Sequence, residues 1–148
     1  MSADTATRMK REILEIPEAV ERLLSVGNAS VLKTAAEIRE RDPRFLLSVA
    51  RGSSDHAASF LKYASELLLG LPMASVGPSI KSIYGVDIAG EGALCISVSQ
   101  SGQSPDIVSL TDSFRSTGAF TVAVTNDTNS PLAAATNATL NIHAGPEL

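Results

Sequence analysis

Two serine-rich segments of the sequence carry residue types suited to binding an anion. The first serine segment reads Arg51-Gly52-Ser53-Ser54-Asp55, and the second serine segment, at 99–106, reads SQSGQSPD. Serine hydroxyls and glutamine amides donate hydrogen bonds, and Gly102 lets the backbone approach a ligand closely. A phosphate fits best, because a phosphate monoester is mostly dianionic near neutral pH and needs several donors to replace its water shell.

Each serine segment lies where a predicted strand ends and a predicted helix begins. Ligands of open parallel sheets bind outside the carboxyl ends of the strands, and the free N–H groups and positive dipole end of a helix start attract anions. We therefore expect both segments to face one crevice. The candidate donors are the hydroxyls of Ser53, Ser54, Ser99, Ser101 and Ser104 and the amides of Gln100 and Gln103.

A simpler interpretation is that these serines only cap helices. Ser104 would cap the helix that begins at Pro105, with Asp106 complementing its dipole, and Ser53 or Ser54 would cap the helix before it. One serine at each helix start would suffice for that role. Capping alone therefore leaves the rest of the second serine segment unexplained.

Other residues with chemical potential stand outside the two segments. His56 could reach a substrate hydroxyl or pack at the sheet edge, and neither it nor His143 has companions at a metal-ligand spacing, so no metal site is expected. Cys95 lies in an apolar run and is predicted to be a buried, reduced thiol. Lys81 and Tyr84 are placed in a loop, either at the border of the pocket or on a solvated face. Neither glycine pattern of nucleotide-binding loops occurs.

From residue 45 onward, short apolar runs alternate with stretches of helical periodicity, which is typical of parallel strands joined by crossover helices. The composition is 44% hydrophobic but only 4% aromatic, so the core must be aliphatic. The predicted fold is α/β, a three-layer α/β/α sandwich with a five-stranded parallel sheet, preceded by N-terminal helices. Strands are predicted at 45–50, 73–76, 93–99, 120–125 and 138–142, with crossover helices at 54–69, after Pro105 and from Ser130-Pro131.

The N-terminal region is predicted to be helical in two parts. Apolar residues recur at spacings of three and four from Met9 to Leu23, which indicates an amphipathic helix. Proline fits the first turn of a helix better than its interior. We therefore predict a helix at 17–25, with 1–16 as an arm or a separate short helix, and a second helix at 30–41.

Charge and hydropathy disfavour several classes of partner. The net charge is -4 and the lysines and arginines are scattered, so nucleic acid is not an expected partner. The N-terminus lacks the apolar stretch of a secretory signal, and no segment approaches the roughly 20 apolar residues of a membrane span. We expect a cytoplasmic protein with no membrane association.

The sequence resembles the sugar isomerase (SIS) domain family, in particular its glucosamine-6-phosphate branch. That branch includes the isomerase half of glutamine-fructose-6-phosphate aminotransferase and the amino-sugar-phosphate deaminases. The resemblance covers nearly the whole chain, and the second serine segment is its most specific part. The other matching stretches lie at 9–17, 50–58 and 144–147.

The resemblance implies a flavodoxin-like SIS domain at 29–148, preceded by an arm and helix at 1–28. Ser53 and Ser54 match the first hydroxyl pair of the family's sugar-phosphate site. Ser99, Gln100, Ser101 and Ser104 match its phosphate loop. Supporting positions at the same site are Gly52, Gly102, Gln103, His56 and Glu147.

By the same resemblance, the complete protein binds glucosamine 6-phosphate or fructose 6-phosphate and isomerises and deaminates the amino sugar without a cofactor. Family enzymes carry two SIS domains, and the isomerising base and ring-opening histidine belong to the second. This chain matches the first, so its catalytic residues are not assigned, and Glu147 lies where chains are usually loose. A homodimer is expected.

Two other functions are compatible with the resemblance. The chain starts with Met1 and no catalytic Cys follows, which favours a stand-alone deaminase or isomerase over the isomerase half of an aminotransferase that also carries a glutaminase. A sugar-phosphate-binding regulatory module without catalysis is the other alternative.

Overall fold

The computed structural model describes residues 7–146, in which two N-terminal helices precede an alternation of strands and helices. The helices are α1 Arg8–Val26, α2 Asn28–Arg41, α3 Ser53–Leu68, α4 Ser79–Ser82, α5 Pro105–Ser116 and α6 Pro131–Ala134. The strands are β1 Phe45–Ala50, β2 Met73–Ser75, β3 Ala93–Val98, β4 Phe120–Thr125 and β5 Ala138–Asn141.

All five strands form one parallel sheet in the order β2-β1-β3-β4-β5. This is the flavodoxin-like order, so the predicted fold class is confirmed. The predicted bounds of β1 and β4 are those observed, and the other three strands each end one residue earlier than predicted. Strand β1 pairs with β3 over six residues, from Phe45 opposite Ala93 to Ala50 opposite Val98.

The sheet is covered on both faces, which explains its nearly continuous apolar strands. One cluster packs beneath α5 and α6 around the fully buried Leu110, Phe114 and Leu132. The cluster on the opposite face includes Leu46 and Leu94, with Ile38 of α2 packed against it. Cys95, expected to be a buried thiol, is 0% exposed within the first cluster.

Two local predictions are wrong. Helix α1 is continuous from Arg8 through Pro17, instead of beginning at Pro17. The proline removes one helical hydrogen bond, but Ile13, four residues earlier, is 56% exposed, so water can solvate its carbonyl. The residues after Pro78, predicted as a loop, form the short helix α4, which includes Lys81.

The outer face of α3 is apolar and exposed. Phe60, Tyr63, Leu67 and Leu68 on this face are each between 68% and 81% exposed. Helix α1 is more exposed still, because none of the residues Arg8–Val26 is buried. Within residues 7–146, none of the helices combines the length and apolarity needed to cross a bilayer.

Candidate functional site

The two serine segments lie side by side at the carboxyl edge of the sheet. Strands β1 and β3 are neighbours, and their last residues, Ala50 and Val98, are paired. The first serine segment leads from β1 into α3, and the second leads from β3 into α5. The strand order therefore brings together the two segments that the sequence marked.

An ion pair joins the two segments directly. Arg51 Nη1 lies 2.6 Å from Asp106 Oδ2, linking the loop after β1 to the first turn of α5. The arginine side chain is 65% exposed and the aspartate side chain 20%. From the local sequence, Asp106 is expected only to complement the helix dipole and Arg51 has no expected role, because nothing in the local sequence reveals a pairing across 55 positions.

The second serine segment forms a tight loop that uses two of its own hydroxyls. The Gly102 N–H donates to Ser99 Oγ at 3.2 Å, and the Gln103 N–H donates to Ser101 Oγ at 3.3 Å. Ser99 is 6% exposed. Its oxygen accepts the Gly102 N–H within the loop, and its O–H can still donate. Gln100, Ser101 and Gln103 are exposed at the surface of the loop.

The end of β4 and the residues that follow it form hydrogen bonds to this loop. The carbonyl of Gln100 accepts hydrogen bonds from the Asn126 N–H at 2.9 Å and from Thr125 Oγ1 at 3.1 Å. The carbonyl of Gly102 accepts from the Leu132 N–H at 3.1 Å. The loop backbone is thereby fixed at two points, which preorganises the side chains that it carries.

The hydroxyls at the two helix starts are not used for capping. Ser104 occupies the N-cap of α5, but its side chain makes no capping hydrogen bond. Gly52, with φ 58°, is the N-cap of α3, where a side-chain cap is again absent. Ser104 therefore occupies the predicted N-cap position without the side-chain hydrogen bond. The prediction that Ser53 or Ser54 caps α3 is wrong, because Gly52 is its N-cap. Among residues 7–146, the hydroxyls of Ser53, Ser54 and Ser104 make no hydrogen bond to another protein atom, so they can donate to a ligand at two adjacent helix starts.

The remaining candidates lie around this edge. His56 is exposed on the first turn of α3. Lys81 Nζ lies 2.6 Å from Asp87 Oδ1, and Tyr84 is 71% exposed. Glu147 lies outside the described residues. Across residues 7–146, no group of three or more His, Cys, Asp and Glu side chains could hold a metal ion.

A cavity of about 720 Å³ lies next to the Arg51–Asp106 pair. The cavity is bounded by both residues of the pair, by α4 with its flanking residues, and by α5. Its lining residues are Arg51, Pro78, Ser79, Ser82, Ile83, Pro105, Asp106 and Ser109. The serines of the two segments do not line this cavity.

Asn126, which no local sequence pattern marks as functional, connects residues 144 and 145 to the same edge. The Ala144 N–H donates to Asn126 Oδ1 at 2.9 Å, and Asn126 Nδ2 donates to the Gly145 carbonyl at 2.6 Å. Arg22 of α1 adds bonds to the carbonyls of His143 at 3.3 Å and Ala144 at 3.4 Å. The chain is therefore held at the sheet edge as far as Gly145.

Comparison with known proteins identifies relatives over nearly the whole chain. The SIS domain family matches residues 37–148. Glutamine–fructose-6-phosphate aminotransferase [isomerizing] from Aquifex aeolicus (strain VF5) is 32% identical over 140 residues, covering 95% of this chain and 23% of the relative. The chain thus spans about a quarter of the length of the curated relatives it matches.

Two solved structures share the fold. A proposed phosphosugar isomerase from Silicibacter pomeroyi DSS-3 is 57% identical with a TM-score of 0.93, and the match covers 97% of this chain and 44% of that one. The C-terminal domain of glucosamine-fructose-6-phosphate aminotransferase from Francisella tularensis is 27% identical with a TM-score of 0.81, covering 100% of this chain and 43% of that one.

Proposed function

The chain belongs to the SIS domain family, and from that premise we propose that it binds the phosphate group of a sugar phosphate at the carboxyl edge of its sheet. One observation carries the proposal. Two neighbouring helix starts, those of α3 and α5, present serine hydroxyls that make no capping bond. Hydroxyls that neither cap nor pack at a helix start are suited to an anionic ligand.

The described residues supply the donors that a phosphate dianion requires. Ser53, Ser54 and Ser104 offer free hydroxyls at the helix starts. Gln100 and Ser101 are exposed on the loop between them, whose backbone is fixed by β4 and α6. Because the loop backbone is already in place, ligand binding does not have to order it.

We further propose that the complete protein isomerises glucosamine 6-phosphate and removes its amino group by hydrolysis, so that the sugar phosphate and one water yield fructose 6-phosphate and ammonia. Holding the phosphate fixes one end of the sugar, so that a base elsewhere can move a proton between adjacent carbons. The names of the relatives support a sugar-phosphate isomerase chemistry. The base is not assigned to this chain, which spans under half of the similar solved chains.

A regulatory module that binds the sugar phosphate without reacting it is the second candidate. It is favoured by the composition of the two segments, which supply many neutral donors and only two carboxylates. One of these, Asp106, is already ion-paired, and the other is Asp55. Binding without turnover in the complete protein would distinguish this function from the enzyme.

Calorimetric titration of the full chain tests the binding site. We expect heat of binding with glucosamine 6-phosphate and none with glucosamine, because the phosphate makes the contacts. Replacing Ser101 and Ser104 with Ala should weaken binding by roughly tenfold or more, since each removes a hydrogen bond to a charged group. The matched control is Ser116→Ala at the far end of α5, whose hydroxyl donates only to the Ser113 carbonyl. Equal binding by all variants would refute the site.

The reaction is tested by mixing the complete protein with glucosamine 6-phosphate and measuring ammonia and fructose 6-phosphate. Release of both in equal amounts supports the deaminase. Fructose 6-phosphate forms from glucosamine 6-phosphate only if the amino group is lost. Ammonia is therefore the product that tests the deamination. Binding with no product would leave the regulatory function.

We also propose that the protein is a homodimer. The apolar face of α3, with Phe60, Tyr63, Leu67 and Leu68 exposed, would leave water when two copies associate, which is favourable. Sedimentation velocity should give the mass of two chains, and Phe60→Glu should reduce it. A single-chain mass for the wild type would contradict the proposal.

A further inference from the structure

The Arg51–Asp106 ion pair places opposite charges at the start of the helix proposed to bind phosphate. Asp106 is the second residue of α5, and its carboxylate bonds Arg51 at 2.6 Å. Arg51 reaches it from the end of the neighbouring strand β1. The pair therefore connects the two serine segments at the point where both begin their helices.

An unpaired carboxylate in this position would oppose the proposed ligand. A negative side chain in the first turn stabilises an empty helix by complementing its dipole. The same charge repels a phosphate dianion bound at that turn, and at separations of roughly 7 Å in water the repulsion corresponds to about a fivefold to twentyfold loss of affinity. With Asp106 in this turn, the site needs a positive charge beside that carboxylate in order to bind a dianion.

We propose that Arg51 is a positioning residue that neutralises Asp106 and holds it away from the ligand, so that the start of α5 accepts a phosphate dianion. This inference rests on the proposed phosphate site. In this role Arg51 acts through Asp106 and makes no contact with the phosphate. The guanidinium bonds the carboxylate through Nη1, so its positive charge lies directly beside the negative charge of Asp106.

The role predicts a charge rescue that a purely structural contact would not produce. Arg51→Gln should weaken the binding of glucosamine 6-phosphate by roughly fivefold to twentyfold, because Asp106 is then unpaired. Adding Asp106→Asn to that variant should restore affinity to within about threefold of the wild type, since the repelling charge is gone. Asp106→Asn alone should bind as tightly as the wild type or more tightly. The loss in Arg51→Gln should shrink as salt is added, because salt screens exposed charges.

The same helix offers a matched control. Arg115 Nη2 lies 2.6 Å from Asp112 Oδ1 in the last turns of α5, with both side chains exposed. Arg115→Gln removes an arginine from an equally close pair at the opposite end of the helix. Its affinity for glucosamine 6-phosphate should equal that of the wild type.

Titration calorimetry of the four variants and the wild type in the full chain decides the matter, with circular dichroism confirming that each is folded. The Arg51 side chain is 65% exposed, and ion pairs near the surface contribute little to stability, so folding should be retained. If the wild type itself does not bind, the proposed phosphate site is wrong. If the wild type binds and Arg51→Gln binds equally well, the positioning role is overturned. A loss in Arg51→Gln that Asp106→Asn fails to restore also overturns it, because Arg51 would then contact the phosphate itself.

Discussion

Gly102 lies so close to Ser130 that a side chain at residue 102 has no room. A Cβ atom on Gly102 would overlap Ser130 Oγ and lie 3.1 Å from Thr125 Oγ1. Ser130 is 1% exposed and its hydroxyl accepts the Ala133 N–H at the start of α6, so it cannot easily move. The glycine of the second serine segment is thus required by close packing between two loops.

Gly102→Ala should destabilise the protein by about 2–5 kcal/mol. Its φ of 63° is unfavourable for alanine, and overpacking adds a further penalty. Gly85→Ala is the matched control, because Gly85 has φ 66° and no atom within 4 Å of the added Cβ, so only the backbone penalty of about 1–2 kcal/mol applies. Urea unfolding measures both, and equal losses would contradict the packing argument.

Asn126→Ala should release the C-terminal residues from the sheet edge. The variant loses the bonds to the Ala144 N–H and the Gly145 carbonyl, at a cost of about 1–3 kcal/mol. Hydrogen exchange at the Ala144 amide should become faster, because that N–H loses its acceptor. Asn129→Ala, at an exposed position in the same connection, should leave this rate unchanged. The prediction is wrong if Ala144 exchanges equally in the wild type and Asn126→Ala.

The ionisation of Asp87 should make the free energy of unfolding depend on pH. The Lys81 ammonium, and next the Ser113 hydroxyl, hold the pKa of this carboxyl below its ordinary value. Its stabilising contribution is therefore present above the ordinary carboxyl pKa of about 4 and is lost as the pH falls through the lowered pKa. The urea midpoint of the wild type should exceed that of Asp87→Asn near neutral pH, and the gap should close in acid.

The control for this pH dependence is Glu66→Gln, at an exposed position on α3. Its midpoint should follow that of the wild type across the same range. A gap between wild type and Asp87→Asn that stays constant from neutral pH into acid would show that ionisation of Asp87 does not contribute.

Cys95 should be inert in the folded protein. Burial raises the pKa of its thiol to about 12, and a bond from Ser97 offsets this only in part. The reactive thiolate is therefore scarce at mildly alkaline pH, and the side chain is 0% exposed. A chromogenic disulfide reagent should detect no thiol in the native chain and one per chain in urea. Rapid reaction of the native chain would show that the core around β3 opens.

Local sequence patterns predicted most of the fold because each pattern reports how its own residues are buried. The nearly continuous apolar run of β1 needs cover on both faces, so it indicates a central parallel strand wherever it occurs. The same reasoning failed at Pro17, whose low propensity for helix interiors predicted a break. Helix α1 is exposed and continues through Pro17, because it tolerates the loss of one backbone hydrogen bond. It also failed for α4, whose four residues are too few to show a period.

Serine-rich, glycine-containing turns after β1 and β3 could be predicted from the chain alone, since residue type and apolar periodicity are local properties. Which distant side chains meet at those turns depends on the packed fold. Arg51 finds Asp106 because β1 lies beside β3, and Asn126 reaches Gly145 because β5 lies beside β4. Strand order is set by the packing of the whole chain, and no short stretch of sequence encodes it.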